Sequence, residues 1–326
     1  MSTNLKQLST AQTAVLLSSI TNSSNPSQDM DTLLPGWTIV WNGRETFDGN
    51  YAFIAADPSY TQYALAIRGS LPPNDIFDNW YEFTNWILED LDVLTRVNWP
   101  YVTSGEALIS KGTFTAFTNV QNMKDTTGAM GSIFDYLKVN AVLANKKIII
   151  TGHSLGGNIA NVYASYFISA LLQEGYSADT HLYTFAAPAA GNSNFATDLD
   201  NKLSNAWHYE NRYDIVPKFP VSTSILEVAS LFLPEPLAAE IMVTHDGHDF
   251  TLKEAITLLA GIFYLYDYKQ QSNNYTVFSN ELDNQYENNT IKDWLCQAGY
   301  QHAISNYANF LNVSLTSELA ERSRVV

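Results

Sequence analysis

The sequence predicts an α/β protein in which helices flank a mostly parallel central sheet. Three short runs, at residues 148–150, 182–186 and 207–211, are rich in β-branched and aromatic residues and predict strands. Patterns with helical spacing lie between them, and strands that alternate with helices are typical of a parallel sheet. No internal repeat, low-complexity tract or linker divides the 326 residues, so we expect one domain over residues 1–326.

The composition and charge of the chain limit its partners. Hydrophobic residues make up 46% and charged residues 15%, which is enough apolar material for a large core. The 33 acidic and 17 basic residues give a formal charge of −16. Such a surface disfavours binding to nucleic acid and anionic lipid, because both bind surfaces rich in lysine and arginine. A neutral substrate is expected instead. Cys296 is the only cysteine, which excludes an intramolecular disulfide and a cysteine-based metal site.

The N-terminal region predicts a helix. Residues 1–25 contain one lysine and an apolar core at residues 14–17 only, which does not fit a Sec signal peptide. They predict instead an amphipathic helix capped by Ser9 or Thr10. Localisation stays open between the cytoplasm and export without a cleaved signal peptide. The sequence has no run of 18 apolar residues, so no transmembrane helix is expected.

Further elements are predicted in chain order. Residues 37–41, 51–56 and 62–68 are β-like runs separated by turn-forming residues. Residues 71–84 mix bulky apolar side chains with Pro-Pro and Asn-Asp pairs. This pattern is typical of a mobile lid over a site, and also of a surface loop with buried anchors. Residues 106–143 then carry an amphipathic helical pattern that leads into the Ile-rich strand.

The second half of the chain contains two strongly apolar stretches, at residues 219–243 and 255–266. Both predict core helices, and the alternative is an apolar cap that lines an acyl pocket; residues 219–243 are the cap candidate. Residues 269–289 are polar and Asn-rich, which predicts an exposed excursion. A final amphipathic helix is expected over residues 304–315.

The stretch around Ser154 carries the strongest chemical signal. Residues 152–156 form a Gly-x-Ser-x-Gly motif between an apolar strand and a run with helical spacing. This is the context of a nucleophile elbow, in which the serine sits in a strained turn with its hydroxyl projecting. The helix would aim its free N–H groups at the oxygen that becomes negative during acyl transfer. The alternative is a structural turn, because the pentapeptide also occurs by chance.

A serine hydroxyl is a weak nucleophile that needs a base, and the base needs an orienting carboxylate. On α/β-hydrolase sheets these groups follow in the order Ser, Asp or Glu, His. Asp214 is the strongest candidate for the orienting carboxylate, because it directly follows a predicted strand. Three other aspartates lie in polar surroundings that are predicted to be less ordered: Asp179, Asp198 and Asp200. The histidines that can follow are His245, His248 and His302.

The remaining histidines have simpler interpretations. His245 and His248 flank an Asp-Gly pair, which predicts a solvated loop, with a metal site as the alternative. His208 is expected to be a packed strand residue. His153 is expected to pack behind the elbow.

Five stretches together resemble the class 3 lipases, a family that includes fungal triacylglycerol lipases and plant phospholipase A1-like enzymes. Residues 151–157 are similar to the elbow of this family. Residues 68–70 (Arg-Gly-Ser) resemble its oxyanion segment, and residues 85–91 its Asn-Trp-x-x-Asp-Leu pattern. Residues 184–192 resemble Thr-Phe-Gly-x-Pro-Arg-x-Gly-Asn, and residues 211–220 resemble the acid loop Asn-x-x-Asp-x-Val-Pro-Arg-x-Pro.

The resemblance implies an α/β-hydrolase fold with a lid or cap over the active site and a Ser154–His302–Asp214 triad. His302 stands in His-x4-Tyr-x3-Leu, which is similar to the histidine at the head of the last helix in bacterial and plant members. The N–H of Leu155 and Ser70 would form the oxyanion hole. No metal and no organic cofactor is implied. Two residues depart from the family pattern: Ala186 and Ala189 replace Gly and Arg. In addition, the segment between Ser70 and Asn85 is longer than the expected lid.

The expected activity is hydrolysis of neutral acylglycerols at an oil–water interface, through an acyl-enzyme intermediate. Phospholipase A1 activity and hydrolysis of soluble carboxylic esters are the enzymatic alternatives. A lipase-like interaction scaffold that has lost hydrolysis is the alternative from a different class, and it would require a broken triad.

Overall fold

The structure is a computed structural model that describes residues 8–69, 91–103, 105–129, 131–245 and 248–322. Strands are numbered in chain order. In the described residues, seven strands form the largest sheet: β1 (Thr38–Asn42), β2 (Tyr51–Ala56), β3 (Gln62–Arg68), β6 (Lys147–His153), β7 (Thr180–Phe185), β8 (Ala206–Asn211) and β11 (Tyr275–Phe278). Four more strands pair as two ribbons: β4 (Arg96–Asn98) with β5 (Leu108–Ser110), and β9 (Met242–His245) with β10 (His248–Thr251).

The strand order of the large sheet is β1-β2-β3-β6-β7-β8-β11. The strands β1, β2 and β3 pair antiparallel, and all neighbours from β3 to β11 pair in parallel. The predicted α/β fold with a mostly parallel sheet is therefore confirmed. The carboxyl ends of β3, β6, β7 and β8 share one edge of the sheet, which is where sites form in this architecture.

Helices lie on both faces of the sheet. Those in the described residues are α1 (Thr10–Ile20), α2 (Pro26–Leu33), α3 (Lys111–Gln121), α4 (Ile133–Leu137), α5 (Leu155–Gln173), α6 (Ser193–Lys202), α7 (Ser222–Val228), α8 (Leu252–Phe263), α9 (Ile291–His302), α10 (Ile304–Phe310) and α11 (Ser317–Arg322). A π-helical turn follows α4 at Lys138–Val142, and 3-10 turns lie at Val216–Lys218 and Tyr264–Tyr266. None of the helices described here is long and apolar enough to cross a bilayer.

The helical prediction for residues 106–143 is only partly right. Residues 108–110 form β5, and α3 begins after it because the Ser110 hydroxyl accepts the Thr113 N–H as a helix cap. The helical pattern is then interrupted before α4, where Gly128 and Gly131 adopt positive φ angles of 89° and 95°. Such left-handed backbone cannot be part of a right-handed helix, and the sequence pattern of apolar residues does not reveal it.

Alternate residues of β6 face two different cores. Ile148 and Ile150 belong to a buried cluster with Phe117 of α3 and Phe167 of α5. Ile149 belongs to a cluster on the opposite face that includes side chains of α1, α2 and α10. Because both faces of this strand are covered, its sequence is continuously apolar and does not alternate.

The prediction for α1 is right about its cap and wrong about its amphipathic character. Ser9 caps the helix, with its hydroxyl accepting the Gln12 N–H. Residues 13–20 are all buried, because α1 packs on β3 and β6 and also contacts α2 and α10. Its buried hydroxyl groups find partners inside the protein: Ser18 Oγ lies 2.8 Å from Thr151 Oγ1. Neighbours therefore cover the side that an amphipathic helix would expose.

The prediction of an exposed excursion over residues 269–289 is wrong at β11, which pairs in parallel with β8 as the last strand of the sheet. Asn274 fixes the start of this strand, since its side-chain amide donates to the carbonyls of Ser204 and Ala206. Phe278 is buried at its end. Four residues in a polar, Asn-rich setting give too weak a periodic signal for a strand to be predicted.

A third buried cluster joins residues 219–243 to the carboxyl edge of the sheet. It contains Leu155 at the start of α5, Ile215 after β8, Ile225 of α7 and Ile256 of α8. One face of α8 packs in this cluster, whereas its other face is exposed. The prediction of a core helix over residues 255–266 is therefore right for one face of the helix only.

Candidate active site

Ser154 lies in a tight turn between β6 and α5. Its backbone has φ 55° and ψ −128°, a combination that residues with a side chain rarely adopt. The Ser154 N–H donates to the Phe185 carbonyl over 2.9 Å, which ties the turn to β7. A Cβ on Gly152 would lie 2.3 Å from the carbonyl carbon of Gly156, and a Cβ on Gly156 would lie 2.2 Å from the Ile67 oxygen. The predicted strand–turn–helix is present, and it requires glycine at both positions.

The side chains of Ser154, His302 and Asp214 form one hydrogen-bonded chain. Ser154 Oγ lies 2.8 Å from His302 Nε2, and His302 Nδ1 lies 2.8 Å from Asp214 Oδ2. Asp214 is 0% and His302 2% exposed, whereas Ser154 is partly accessible. An ionised carboxylate only accepts, so Nδ1 carries the ring hydrogen and Nε2 is left to accept from the serine hydroxyl. The arrangement is suited to removing the Ser154 proton.

Two further donors hold the Asp214 carboxylate. The Val216 N–H donates to Oδ1 over 2.9 Å, and the Tyr307 hydroxyl donates to Oδ2 over 2.7 Å. Burial and the adjacent Asp214 charge raise the pKa of Tyr307 well above its usual value, so its hydroxyl remains a donor. No function for Tyr307 was predicted from the sequence, although this residue stands in the His-x4-Tyr motif around His302.

A buried ion pair closes the loop that carries Asp214. Lys218 Nζ lies 2.7 Å from Glu210 Oε1, and the Tyr275 hydroxyl donates to Glu210 Oε2 over 2.5 Å. Glu210 belongs to β8 and Lys218 to the 3-10 turn, so the pair joins the two ends of the Asp214 loop. Loss of one partner would leave an unpaired buried charge, which is strongly destabilising. This pair was not predicted from the sequence.

The first turn of α5 presents backbone N–H groups beside Ser154. The first intrahelical bond runs from the Asn158 N–H to the Ser154 carbonyl, so the N–H groups of Leu155, Gly156 and Gly157 have no acceptor within the helix. Hydrogen-bond donors at this place suit an oxygen that gains negative charge.

The strand β3 ends beside this turn. A Cβ on Gly69 would lie 2.2 Å from the Leu155 Cβ, so the backbone after β3 runs directly against the elbow. Ser70, the second predicted oxyanion donor, and the lid candidate at residues 71–84 lie outside the described residues.

The structure shows the surroundings of Ala186 and Ala189, the two residues that depart from the family pattern. Ala186 has φ 56°, a left-handed conformation in which glycine is unstrained and another residue costs about 1 kcal/mol. A glycine is therefore the better residue at this position. Ala189 is buried in the same cluster as Leu155 and Ile215, where it is packed among apolar neighbours.

The other candidate residues lie apart from this hydrogen-bonded chain. His248 is exposed on β10, while Asp246, Gly247 and the His245 side chain lie outside the described residues. In the described parts of the chain, no group of three or more His, Cys, Asp or Glu side chains could hold a metal ion. Asp198 is buried and paired with Lys202 Nζ at 2.5 Å, so the expectation of less ordered surroundings is wrong for this residue.

His208 is buried in β8, as expected for a packed strand residue. Its Nδ1 lies 2.7 Å from Thr184 Oγ1 on β7. Burial lowers the pKa of His208 to about 4, so the ring is neutral at physiological pH.

Replacement of His208 with asparagine is expected to weaken the pH dependence of stability. The pKa of His208 is about 4 in the folded chain, against about 6.5 for unfolded histidine, so below pH 6.5 the unfolded state takes up the proton first. His208 titration therefore leaves the free energy of unfolding unchanged above pH 6.5 and lowers it by about 3 kcal/mol as the pH drops to 4. Urea unfolding of the wild type and His208→Asn between pH 4 and 7 measures this loss.

The matched control for this prediction is His248→Asn, which changes an exposed histidine and is expected to keep the wild-type pH dependence. Equal slopes for wild type and His208→Asn would contradict the prediction.

Comparison with known proteins shows which families and structures the chain is similar to. Residues 64–224 match the family model described as Lipase (class 3). The secreted mono- and diacylglycerol lipase 1 of Fusarium solani is 27% identical over 198 residues, which are 60% of this chain and 49% of that protein. The secreted mono- and diacylglycerol lipase A of Penicillium cyclopium is 26% identical over 176 residues, which are 54% of this chain and 48% of that protein. The chain thus spans about half the length of the curated relatives it matches.

A solved structure supports the fold over nearly the whole chain. The crystal structure of M37 lipase superposes with a TM-score of 0.75 at 20% identity, and the match covers 96% of this chain and 98% of that one. The α/β-hydrolase fold is therefore shared. The similarity to the class 3 lipase family lies in residues 64–224, about half of the chain.

Proposed function

We propose that this chain hydrolyses carboxylic esters of lipids, with Ser154 as nucleophile, His302 as general base and acid, and Asp214 as the orienting carboxylate. The observation that carries the proposal is the unbroken hydrogen-bonded chain from the Ser154 hydroxyl through His302 to a buried carboxylate. A hydroxyl on a strained strand-to-helix turn with this chain behind it has the geometry required for acyl transfer.

In the proposed reaction, His302 Nε2 takes the Ser154 proton as Oγ bonds to the ester carbonyl carbon. The oxyanion that forms accepts hydrogen bonds from the Leu155 N–H and, by resemblance to the family, from Ser70. Each such donor stabilises the transition state by about 3 kcal/mol. The C–O bond to the alcohol then breaks, the alcohol takes the proton from His302, and an acyl-enzyme remains. Water repeats the sequence, releases the carboxylic acid and restores Ser154.

The proposed substrates are neutral acylglycerols at an oil–water interface, and no metal or organic cofactor takes part. The formal charge of −16 disfavours anionic lipid, and the two fungal relatives carry the names of mono- and diacylglycerol lipases. We assign residues 219–243 as an apolar cap, since their buried side chains share a cluster with Leu155, directly after the nucleophile. Residues 71–84 are the proposed lid, within a single domain of residues 1–326.

Labelling with a fluorophosphonate probe tests the proposed nucleophile. A folded sample is expected to yield one labelled peptide, which contains Ser154, and a heat-unfolded sample is expected to remain unlabelled because the reaction needs the assembled triad. Absence of label at Ser154 in the folded sample would overturn the proposal and would favour a non-enzymatic scaffold.

Initial rates on three substrates test the substrate class. The expected order places a diacylglycerol emulsion above phosphatidylcholine vesicles and p-nitrophenyl butyrate. The highest rate on vesicles would assign phospholipase A1 activity instead, and the highest rate on the soluble ester would assign a carboxylesterase.

A further inference from the structure

The helix α9 ends at His302, so the backbone that carries the triad histidine is a helix C-terminus. The last four carbonyl groups of a helix have no partner within it and need other donors. Side chains satisfy three of them. Asn306 Nδ2 donates to the Tyr300 oxygen over 2.6 Å, Asn211 Nδ2 donates to the Gln301 oxygen over 3.0 Å, and His153 Nε2 lies 2.9 Å from the His302 oxygen.

Two of these donors come from the loops that carry the other members of the triad. His153 immediately precedes Ser154 in the elbow. Asn211 ends β8 and precedes Asp214 by three residues, and the Asp214 N–H donates to the Asn211 carbonyl over 2.9 Å. The elbow and the acid loop therefore each hold the His302 side chain directly, and each also holds the backbone from which that side chain projects.

The burial of both donors shows that these contacts are built into the interior. Asn211 is 0% exposed, and its Nδ2 also lies 2.7 Å from the Gln301 side-chain oxygen. The His153 ring is buried as well and lies beside the His302 ring, with the two centroids 4.8 Å apart. Buried donors that lose their acceptors cost stability, so these contacts resist displacement of the α9 terminus.

We propose that His153 and Asn211 are positioning residues for the reaction, which together fix the backbone at residues 301–302 relative to Ser154 and Asp214. The inference rests on the proposed hydrolase function. His302 has to keep Nε2 within hydrogen-bond distance of Ser154 and Nδ1 within the same distance of Asp214 while it takes up and releases a proton. Rotation of the side chain alone cannot keep both distances if the backbone shifts, so the two carbonyl contacts set the alignment.

The chemistry of His153 fits this role. A carbonyl oxygen only accepts, so Nε2 must carry the hydrogen of a neutral ring. Burial and the neighbouring His302 lower the pKa of His153 well below its usual value, so the ring stays neutral. A neutral ring beside His302 does not oppose the positive charge that His302 acquires when it takes the Ser154 proton.

The pair of variants His153→Phe and His153→Gln tests the elbow contact. Phenylalanine keeps a ring beside His302 and Tyr307 but cannot donate, whereas glutamine places an amide N–H at a similar reach. We expect His153→Phe to lower kcat by about 10- to 100-fold with KM within about twofold of wild type, since small misplacements of catalytic groups cost this much. His153→Gln is expected to recover kcat to within a few-fold of wild type.

The variant Asn211→Leu tests the acid-loop contact, because leucine has a similar shape and no donor. A similar loss in kcat is expected. Its matched control is Asn273→Leu, which removes side-chain donation to the carbonyls of Asp200 and Leu203 in another part of the fold. The control is expected to lower the melting temperature without changing kcat.

Each rate is divided by the number of sites that react with an excess of fluorophosphonate probe, so that unfolded molecules do not count. A loss in kcat per titrated site that glutamine restores supports the positioning role. Equal kcat per site in wild type, His153→Phe and Asn211→Leu would overturn it. Equal loss in His153→Phe and His153→Gln would also overturn it for His153. If the wild type itself fails to label, the proposed hydrolase function fails, which is a distinguishable result.

Discussion

Replacement of Ser154 with alanine is expected to lower kcat for ester hydrolysis by about 10^4-fold or more, with the fold retained. In the proposed mechanism, the alanine variant lacks the oxygen that forms the acyl-enzyme, and the His302–Asp214 pair then has no proton to remove. Residual turnover would come only from the oxyanion donors and from substrate binding. Rates on a diacylglycerol emulsion and a circular dichroism melting curve measure both parts of the prediction.

The glycine variant at the same position separates catalysis from backbone strain. Ser154→Gly is expected to be as inactive as Ser154→Ala, because neither has a hydroxyl. At φ 55° and ψ −128°, however, glycine is unstrained and alanine is not. The glycine variant is therefore expected to be more stable than the alanine variant by about 1 kcal/mol. An alanine variant that retained most of the wild-type rate would remove Ser154 from the mechanism. Equal stability of the two variants would contradict the prediction that backbone strain at residue 154 lowers stability.

Replacement of Gly156 with alanine is expected to destabilise the fold by roughly 3 kcal/mol or to prevent folding. A Cβ at this position would lie 2.2 Å from the Ile67 oxygen and 3.0 Å from the Ile67 carbonyl carbon. These atoms belong to the backbone of β3, which pairs with both β2 and β6 and cannot give way locally. The expected readout is a large drop in melting temperature, or loss of soluble protein.

Gly261 provides the matched control because it is also a helical glycine, and a Cβ added there would have no atom within 4 Å. Gly261→Ala is expected to stabilise the chain by about 0.5–1 kcal/mol, the ordinary gain from alanine in a helix. A Gly156→Ala protein with a wild-type melting temperature would contradict the close packing of α5 on β3.

The elbow and the sheet could be predicted because their signals are local. Three consecutive isoleucines indicate a strand that is buried on both faces. A Gly-x-Ser-x-Gly motif directly after such a strand indicates a tight strand-to-helix turn, in which both glycines allow close packing. The position of Asp214 on the loop after a strand could be predicted for the same reason, since a β-like run directly precedes it. In each case the residues that decide the structure lie within a few positions of one another.

The rest depends on contacts between distant parts of the chain. Chain order alone left His245, His248 and His302 open, and only the resemblance to the family favoured His302. The roles of Asn211 and Tyr307 are set by which carbonyl or carboxylate lies opposite them, and no local pattern encodes that. Similarly, α1 has the cap that its sequence predicts, but its burial is decided by helices and strands far along the chain.

The packing of α1 has a consequence for how the chain folds. Its hydrogen bonds from Ser18 to Thr151 and from Gln12 to Leu311 join residues that are 133 and 299 positions apart. Contacts over such separations carry a large loop-closure entropy and slow folding. During synthesis, the burial of α1 is complete only after residues beyond 300 have been made, and His302 arrives in that same late segment. The proposed hydrolase activity is therefore expected to appear with the final folding step, and partly made chains are expected to remain inactive.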